Sequence, residues 1–239
     1  MRFDTPLIPG RLVRRYKRFL SDVELADGTV VTAHCPNPGS MMGLDAPGLP
    51  AWLSRSDDPK RKLAHTLEVL ELPDGAVGIH TGRPNALVAE AIAAGVIAEL
   101  AGYASMRREV KYGKSSRVDL LLEGRTDDPQ PAYVEVKNVH LRRETGPFPT
   151  AAEFPDSVTK RGAKHLVELA DMVAEGHRAV MVFCVQRTDC DHFRVAGDID
   201  PAYLEALKVA TAAGVEAVAY ACAVSPEAIA VEKPIPIVL

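Results

Sequence analysis

The sequence predicts a two-part chain of the α+β/α/β class: a small β-barrel over residues 1–82, then a mixed sheet with helices on both faces over residues 83–239. Three observations predict it. The first third alternates short apolar strands with tight turns and shows no helical period. The punctuation Thr81-Gly82-Arg83-Pro84 then marks a change of character. After it, helical and strand periods follow one another in the order α-β-β-β-α-β-α-β.

In the first part, Phe19, Val23 and Leu25 fall on one face at period two. Asp27-Gly28 makes a tight turn, and Thr29 to Ala33 returns. Ala51 to Ser54 is a short strand. Leu63 to Leu72, Pro73-Asp74-Gly75 and Ala76 to His80 form a second hairpin. Pro36-Asn37-Pro38-Gly39-Ser40 is a loop. Turns at this spacing suit a barrel.

In the second part, Leu87, Val88, Ala91 and Ile92 share one helical face over Asn85 to Ala94, with Asn85 as the expected cap. A further turn spans Val96 to Leu100. Strands follow at Met106–Tyr112, Arg117–Leu122 and Tyr133–Asn138, with a proline-bearing loop over Glu123–Pro131 between the last two. A loop over Arg142–Phe154 leads to a helix over Val158–Glu175, capped by Asp156 or Ser157 and stopped by Gly176. Ala179–Val185 is a continuous apolar strand of a buried sheet. Asp200 caps a helix opening at Pro201, and Val215–Ala221 is the last strand expected.

The hydrophobic share is 47% and the charged share 25%, ordinary for a soluble globular protein. No apolar run approaches the ~20 residues of a membrane span, and Met1 to Gly10 lack a signal-peptide pattern, so the expected setting is cytoplasmic. Cys35, Cys184, Cys190 and Cys222 are sparse and lack CxxC spacing, which points to reduced thiols rather than a disulfide framework or a zinc site.

The stretch Tyr133-Val134-Glu135-Val136-Lys137 carries most of the chemistry. Strand alternation puts Glu135 and Lys137 on one face with Tyr133, and Val134 and Val136 on the other. In the preceding strand Val118, Leu120 and Leu122 go one way and Asp119 the other. Pairing of the two strands brings Asp119 and Glu135 together with Lys137 beside them. Two carboxylates suit Mg²⁺ or Mn²⁺, and such a cation with a lysine suits attack on a phosphodiester. The Val136 carbonyl is a further candidate ligand, and Glu90, on the preceding helix, a third carboxylate. The competing reading is an exposed cross-strand ion-pair ladder.

The net charge is −4, which argues mildly against a polyanion partner, but the cations are grouped. Arg107, Arg108, Lys111, Lys114 and Arg117 precede the acidic pair. Lys160, Arg161, Lys164 and His165 crowd the start of a helix, where an anion relieves the unfavourable dipole. Arg15, Lys17, Arg18 and Phe19 interleave basic and aromatic side chains, as single-strand-binding barrels do. Solvated charged faces account equally for these groups.

The chain resembles the bacterial and archaeal sugar fermentation stimulation protein family, SfsA, over almost its whole length. The matching stretches are Tyr16-Lys17-Arg18-Phe19-Leu20, His34-Cys35-Pro36-Asn37-Pro38-Gly39-Ser40-Met41, Arg61-Lys62-Leu63, Pro84-Asn85, Arg117-Val118-Asp119, Val134 to Val139 and Phe154 to Leu166. The family loop carries a small polar residue where this chain has Pro38. The resemblance implies an N-terminal OB-like β-barrel followed by a restriction-endonuclease-like PD-(D/E)xK mixed-sheet domain. It also implies DNA binding, with Asn37 and Ser40 in the loop as contacts, and a regulatory link to sugar metabolism, maltose in particular. Asp119 matches the first acidic residue of the nuclease motif, and Glu135 and Lys137 its E-x-K part. A non-catalytic DNA-binding regulator of sugar (maltose) genes is the alternative.

Overall fold

A computed structural model describes residues 1–113, 116–126 and 129–238. Lys114, in one of the basic groups above, lies outside the described residues. The first part contains β1 (Ile8–Tyr16), β2 (Leu20–Leu25), β3 (Val30–His34), β4 (Pro50–Arg55), β5 (His65–Leu72) and β6 (Gly75–Gly78). Antiparallel pairs β1–β2, β2–β3, β1–β4 and β4–β5, with a parallel β3–β5 contact, close five strands into a barrel. Leu12, Val23, Ala33, Leu53, Leu67 and Val77 fill it. The β2–β3 turn forms as Asp27-Gly28 predicts: Gly28 has φ +81, and Asp27 Oδ1 accepts the Thr29 amide at 2.9 Å.

β1 is absent from the sequence reading. Leu12 is its one buried residue, and Arg11, Arg14 and Arg15 surround it, so the stretch looks like a basic segment rather than a strand. Residues 1–3 do not join the barrel; Arg2 bridges to Ala228, and the Phe3 amide donates to the Glu227 carbonyl.

The second part contains α1 (Pro84–Ala93), β7 (Ser105–Tyr112), β8 (Ser116–Glu123), β9 (Ala132–Val139), β10 (Ala151–Phe154), α2 (Lys160–Ala174), β11 (Arg178–Val185), β12 (His192–Val195), α3 (Pro201–Ala212), β13 (Glu216–Val224), β14 (Ile229–Pro234) and β15 (Ile237–Val238). The main sheet runs β14-β13-β11-β9-β8-β7, parallel at its centre across β9, β11 and β13. Helix α1 packs on one face with Leu120, Val134 and Val182. Helices α2 and α3 pack on the other with Val118, Phe183 and Tyr203. β10, β12 and β15 form a small second sheet.

Three expected boundaries move. Arg83 occupies the cap position of α1, and Pro84 opens the helix; Asn85 lies inside it and its amide goes elsewhere. Helix α2 begins at Lys160, with Thr159 rather than Asp156 or Ser157 accepting the Gly162 amide. A Cβ on Gly162 would stand 2.9 Å from the Thr159 side chain and 3.1 Å from the Tyr203 ring, so glycine lets this first turn close. The strand expected last, over Val215–Ala221, is followed by two more. β10, β12, β14 and β15 are too short or too polar to show a period. Asp200 caps α3 as expected, accepting the Tyr203 amide at 3.0 Å. Among the described residues, no helix is long and apolar enough to cross a membrane.

Candidate active site

Strand β9 is held along its length by β11, residue for residue from Ala132 to Val139. Its pairing with β8 is short: Leu122–Ala132, Leu121–Tyr133 and Leu120–Val134, and no further. Beyond Leu120 the two strands part. Asp119 sits at the parting, and its Oδ2 takes the Val136 amide at 2.7 Å where a ladder bond would otherwise be. Oδ1 accepts from the Asn85 side chain at 2.7 Å, which ties α1 to the site. The N–H and C=O of one strand residue point to the same side. The Val136 carbonyl therefore faces the gap that β8 leaves.

The parting also changes the faces. Leu120 and Leu122 pack on the α1 side as expected, but Val118 packs with the α2 side. Residues two apart in a regular strand share a face, so the alternation breaks at Asp119.

Glu135 and Lys137 share the α2 face of β9, as alternation requires. The Glu135 side chain is 3% exposed. Its Oε1 accepts from Lys137 Nζ at 2.7 Å and also contacts His165 Nδ1. The other ring nitrogen, Nε2, lies 3.3 Å from Arg161 Nε, and Lys137 Nζ stands 3.3 Å from Nδ1. Glu135 Oε2 is buried and, among the described residues, has no partner.

The two carboxylates differ electrically. Burial and the neighbouring Glu135 charge push Asp119 above the usual aspartate range, against the Val136 and Asn85 hydrogen bonds. Burial works upward on Glu135 too, but the His165 and Lys137 contacts more than offset it and hold that carboxyl below the ordinary range. The pair lines a cavity of about 230 Å³ with Val136, Lys137, Glu109, Arg117, Thr159, Arg161, Gly162 and His165. The carboxylate oxygens and the Val136 carbonyl are a hard-oxygen donor set, which fits a small divalent cation, while Arg117, Lys137 and Arg161 bring matching positive charge to the same wall. Among the described residues, no three Asp, Glu, His or Cys side chains already converge on one point.

Glu90 is not among these groups. Its side chain is 54% exposed and pairs with the Met1 ammonium at 2.8 Å. It lies on the outward side of α1, whereas Asn85, five residues earlier, reaches the site.

Of the expected nucleic-acid contacts, Arg161 and His165 line the cavity. His165 is turned inward onto Glu135, so it is an internal partner rather than a surface contact. Lys160 and Arg161 are exposed on the first turn of α2. Lys164 lies 3.4 Å from Ser116 Oγ and 3.5 Å from Glu168. Lys17 and Arg18 are exposed at the β1–β2 turn, both with positive φ, and Phe19 beside them is 44% exposed. Arg15 is used internally: its guanidinium donates to the carbonyls of Asn37 and Gly39 at 2.9 Å and of Ser40 at 3.4 Å. Asn37 is buried at the junction of the two parts, on the Ile79 carbonyl and His140. Ser40 is exposed, and its amide donates to Asp156 at 2.8 Å. Glu109 escaped the sequence reading, Asn85 entered it as a helix cap, Arg117 as one of a basic group and Thr159 within the family stretch Phe154 to Leu166.

The comparisons agree along the chain. The SfsA N-terminal OB domain matches residues 13–79, and the sugar fermentation stimulation protein RE domain matches residues 82–228. A sugar fermentation stimulation protein homolog of Rhodospirillum centenum is 62% identical over 235 residues, covering 98% of this chain and 97% of its own. Another from Maricaulis maris is 60% identical over 234 residues, covering 98% and 97%. The structure of Pyrococcus furiosus SfsA in complex with Ca²⁺ superposes with a TM-score of 0.85 at 26% identity, covering 100% of this chain and 98% of that one. An OB barrel followed by a mixed-sheet domain, matched over nearly the full length of both sequence and structure, makes this chain a member of the sugar fermentation stimulation protein (SfsA) family.

Proposed function

We propose that the protein is a divalent-metal-dependent nuclease, hydrolysing phosphodiester bonds in nucleic acid, with DNA as the expected substrate and Mg²⁺ or Mn²⁺ as the metal. The observation that carries this reading is the desolvated pair Asp119 and Glu135, left with an unpartnered carboxylate oxygen and a lysine beside it. An ion-pair ladder on a solvated sheet accounts for neither the burial nor the orphaned oxygen. The Pyrococcus relative was solved with Ca²⁺, which supports a hard divalent cation in the family.

Asp119, Glu135 and the Val136 carbonyl would hold the cation. When bound, it supplies Lewis-acid polarisation of the phosphoryl group and lowers the pKa of water. Lys137 brings a fixed positive charge and N–H donors to the same wall, positioned to orient a water and to offset charge on phosphoryl oxygens. His165 and Asn85 position Glu135 and Asp119 respectively. Lys160 and Arg161, exposed at the head of α2, suit the flanking phosphates, since the helix end and both cations favour anions.

The test is cleavage of end-labelled DNA and RNA, single-stranded, duplex and branched, in Mg²⁺, Mn²⁺ or EDTA. Metal-dependent cutting by the wild type, reduced on the order of 10³-fold or more in Asp119→Ala and Lys137→Ala, is the expected result. Binding without cutting under any metal would return the protein to the regulator reading.

A further inference from the structure

Glu109 stands directly across from Asp119. Arg108 pairs with Leu120, and Val110 with Val118, so the unpaired positions between them, 109 and 119, face one another. Here the β7–β8 ladder is interrupted. Glu109 has φ +53, a left-handed conformation uncommon for any residue but glycine. Both strands roll at this level: on β8 Leu120 packs toward α1 and Val118 toward α2, and on β7 Met106 and Val110 divide the same way. The Arg117 guanidinium holds the turned backbone by donating to the Glu109 carbonyl at 3.0 Å.

The distortion makes Glu109 part of the wall that Asp119, Glu135, Val136 and Lys137 line. Its side chain is exposed and, among the described residues, has no ion-pair partner. Like charges directly opposite on paired strands are destabilising, and strained backbone concentrates where a site requires it. The independent sign of a cation site is the Glu135 side chain, 3% exposed, with Oε2 unpartnered among the described residues. Asp119, Glu135 and one carbonyl leave positions on a six-coordinate cation open to water, phosphate or a further carboxylate. The helix carboxylate Glu90 is committed elsewhere.

We infer that Glu109 is the third carboxylate of the metal centre, closing across the strand pair onto a divalent cation that Asp119 and Glu135 hold. This rests on the metal-dependent reading above. The third carboxylate then comes from the neighbouring strand rather than from Glu90 of the helix.

The experiment is calorimetric titration of Mn²⁺ into the full-length protein without nucleic acid, for wild type, Glu109→Gln, Glu109→Gly and Glu90→Gln. Thermal melts in EDTA check the fold of each. Glycine accepts the positive φ, so Glu109→Gly relieves the backbone while removing the carboxylate. Wild type and Glu90→Gln are expected to bind Mn²⁺ alike. Both Glu109 variants are expected to bind it about 10-fold or more weakly, with Glu109→Gly melting no lower than wild type. Unchanged Mn²⁺ affinity in the Glu109 variants, with wild type binding, would overturn this inference alone. A wild type that binds no Mn²⁺ would overturn it together with the metal-dependent reading.

Discussion

Asp119 and Asp189 are both largely withdrawn from water, yet their carboxyls are pushed in opposite directions. Asp189 is 1% exposed at its side chain and lies between two guanidiniums, Arg187 at 2.7 Å and Arg142 at 2.6 Å. Burial works upward on it, but the two arginines more than offset burial and hold it below the usual range. Asp119 faces a second carboxylate, an amide and a backbone N–H, and is held above that range. The surroundings differ in the same way. Around Asp189, at the junction of barrel and sheet, Arg187 also donates to the His140 carbonyl at 2.8 Å. Glu153 nearby is gripped by Arg143 and Arg194. Asn37 and Asn138 each hydrogen-bond His140, although Gln186 Oε1 beside them is unpartnered. A nearly satisfied polar network fixes one packing of the two parts. An unsatisfied one stores a demand for a ligand, which is what a site requires.

Four measurements press on this contrast. The largest effect belongs to the junction. Arg187→Ala would leave the buried Asp189 to Arg142 alone and the His140 carbonyl without its donor, and is expected to cost about 3 kcal/mol in denaturant unfolding. A loss below about 1 kcal/mol would show the junction to be no tighter than the site. Second, His140 is pushed down to about 4, chiefly by burial and also by Arg187, against a hydrogen bond with the Gly78 backbone. A histidine depressed in the folded state adds stability above its unfolded pKa of about 6.5, and loses it as pH falls toward its folded value. Unfolding free energy should drop by roughly 3 kcal/mol between pH 6.5 and 4, at ~1.4 kcal/mol per pH unit. The slope should flatten in His140→Gln.

The third effect is smaller and opposite in sign. A carboxyl raised in the folded state loses stability as pH rises through its folded value, so ionised Asp119 is a burden near neutral pH. Asp119→Asn, with the Asn85 amide turned over to match, should raise stability in EDTA by on the order of 1 kcal/mol. It should also abolish any rise in melting temperature on adding Mn²⁺. A destabilised variant in EDTA would mean that Asp119 is satisfied without a cation. The smallest effect is at Glu90. Its exposed pair with the Met1 ammonium predicts a change within about 0.5 kcal/mol for Glu90→Gln, and no change in metal binding.

Much of this was legible residue by residue. The Asp27-Gly28 turn, the Asp200 cap and the buried run over 179–185 each state their structure within a few neighbours. So do Glu135 and Lys137, because a period of two along β9 needs no knowledge of the rest of the chain. β1 was hidden because it buries only Leu12, among three arginines. Asn85 was hidden because a polar residue after proline looks like a cap whether or not it caps. Arg15 and Asn37 looked like contacts for a nucleic acid, since a side chain's charge or amide does not say which carbonyl will claim it.

The sequence by itself determined the two-part order, the strands that carry the acidic pair, and the face that Glu135 and Lys137 share. Only the tertiary structure decided where β8 leaves β9, that Asp119 fills the break, that Glu109 lies opposite it, and that Glu90 turns to the chain's first residue. The reason is one of range. Side-chain direction along a strand is set by local backbone geometry, whereas the end of a ladder and the partner across it are set by packing between residues distant in the chain.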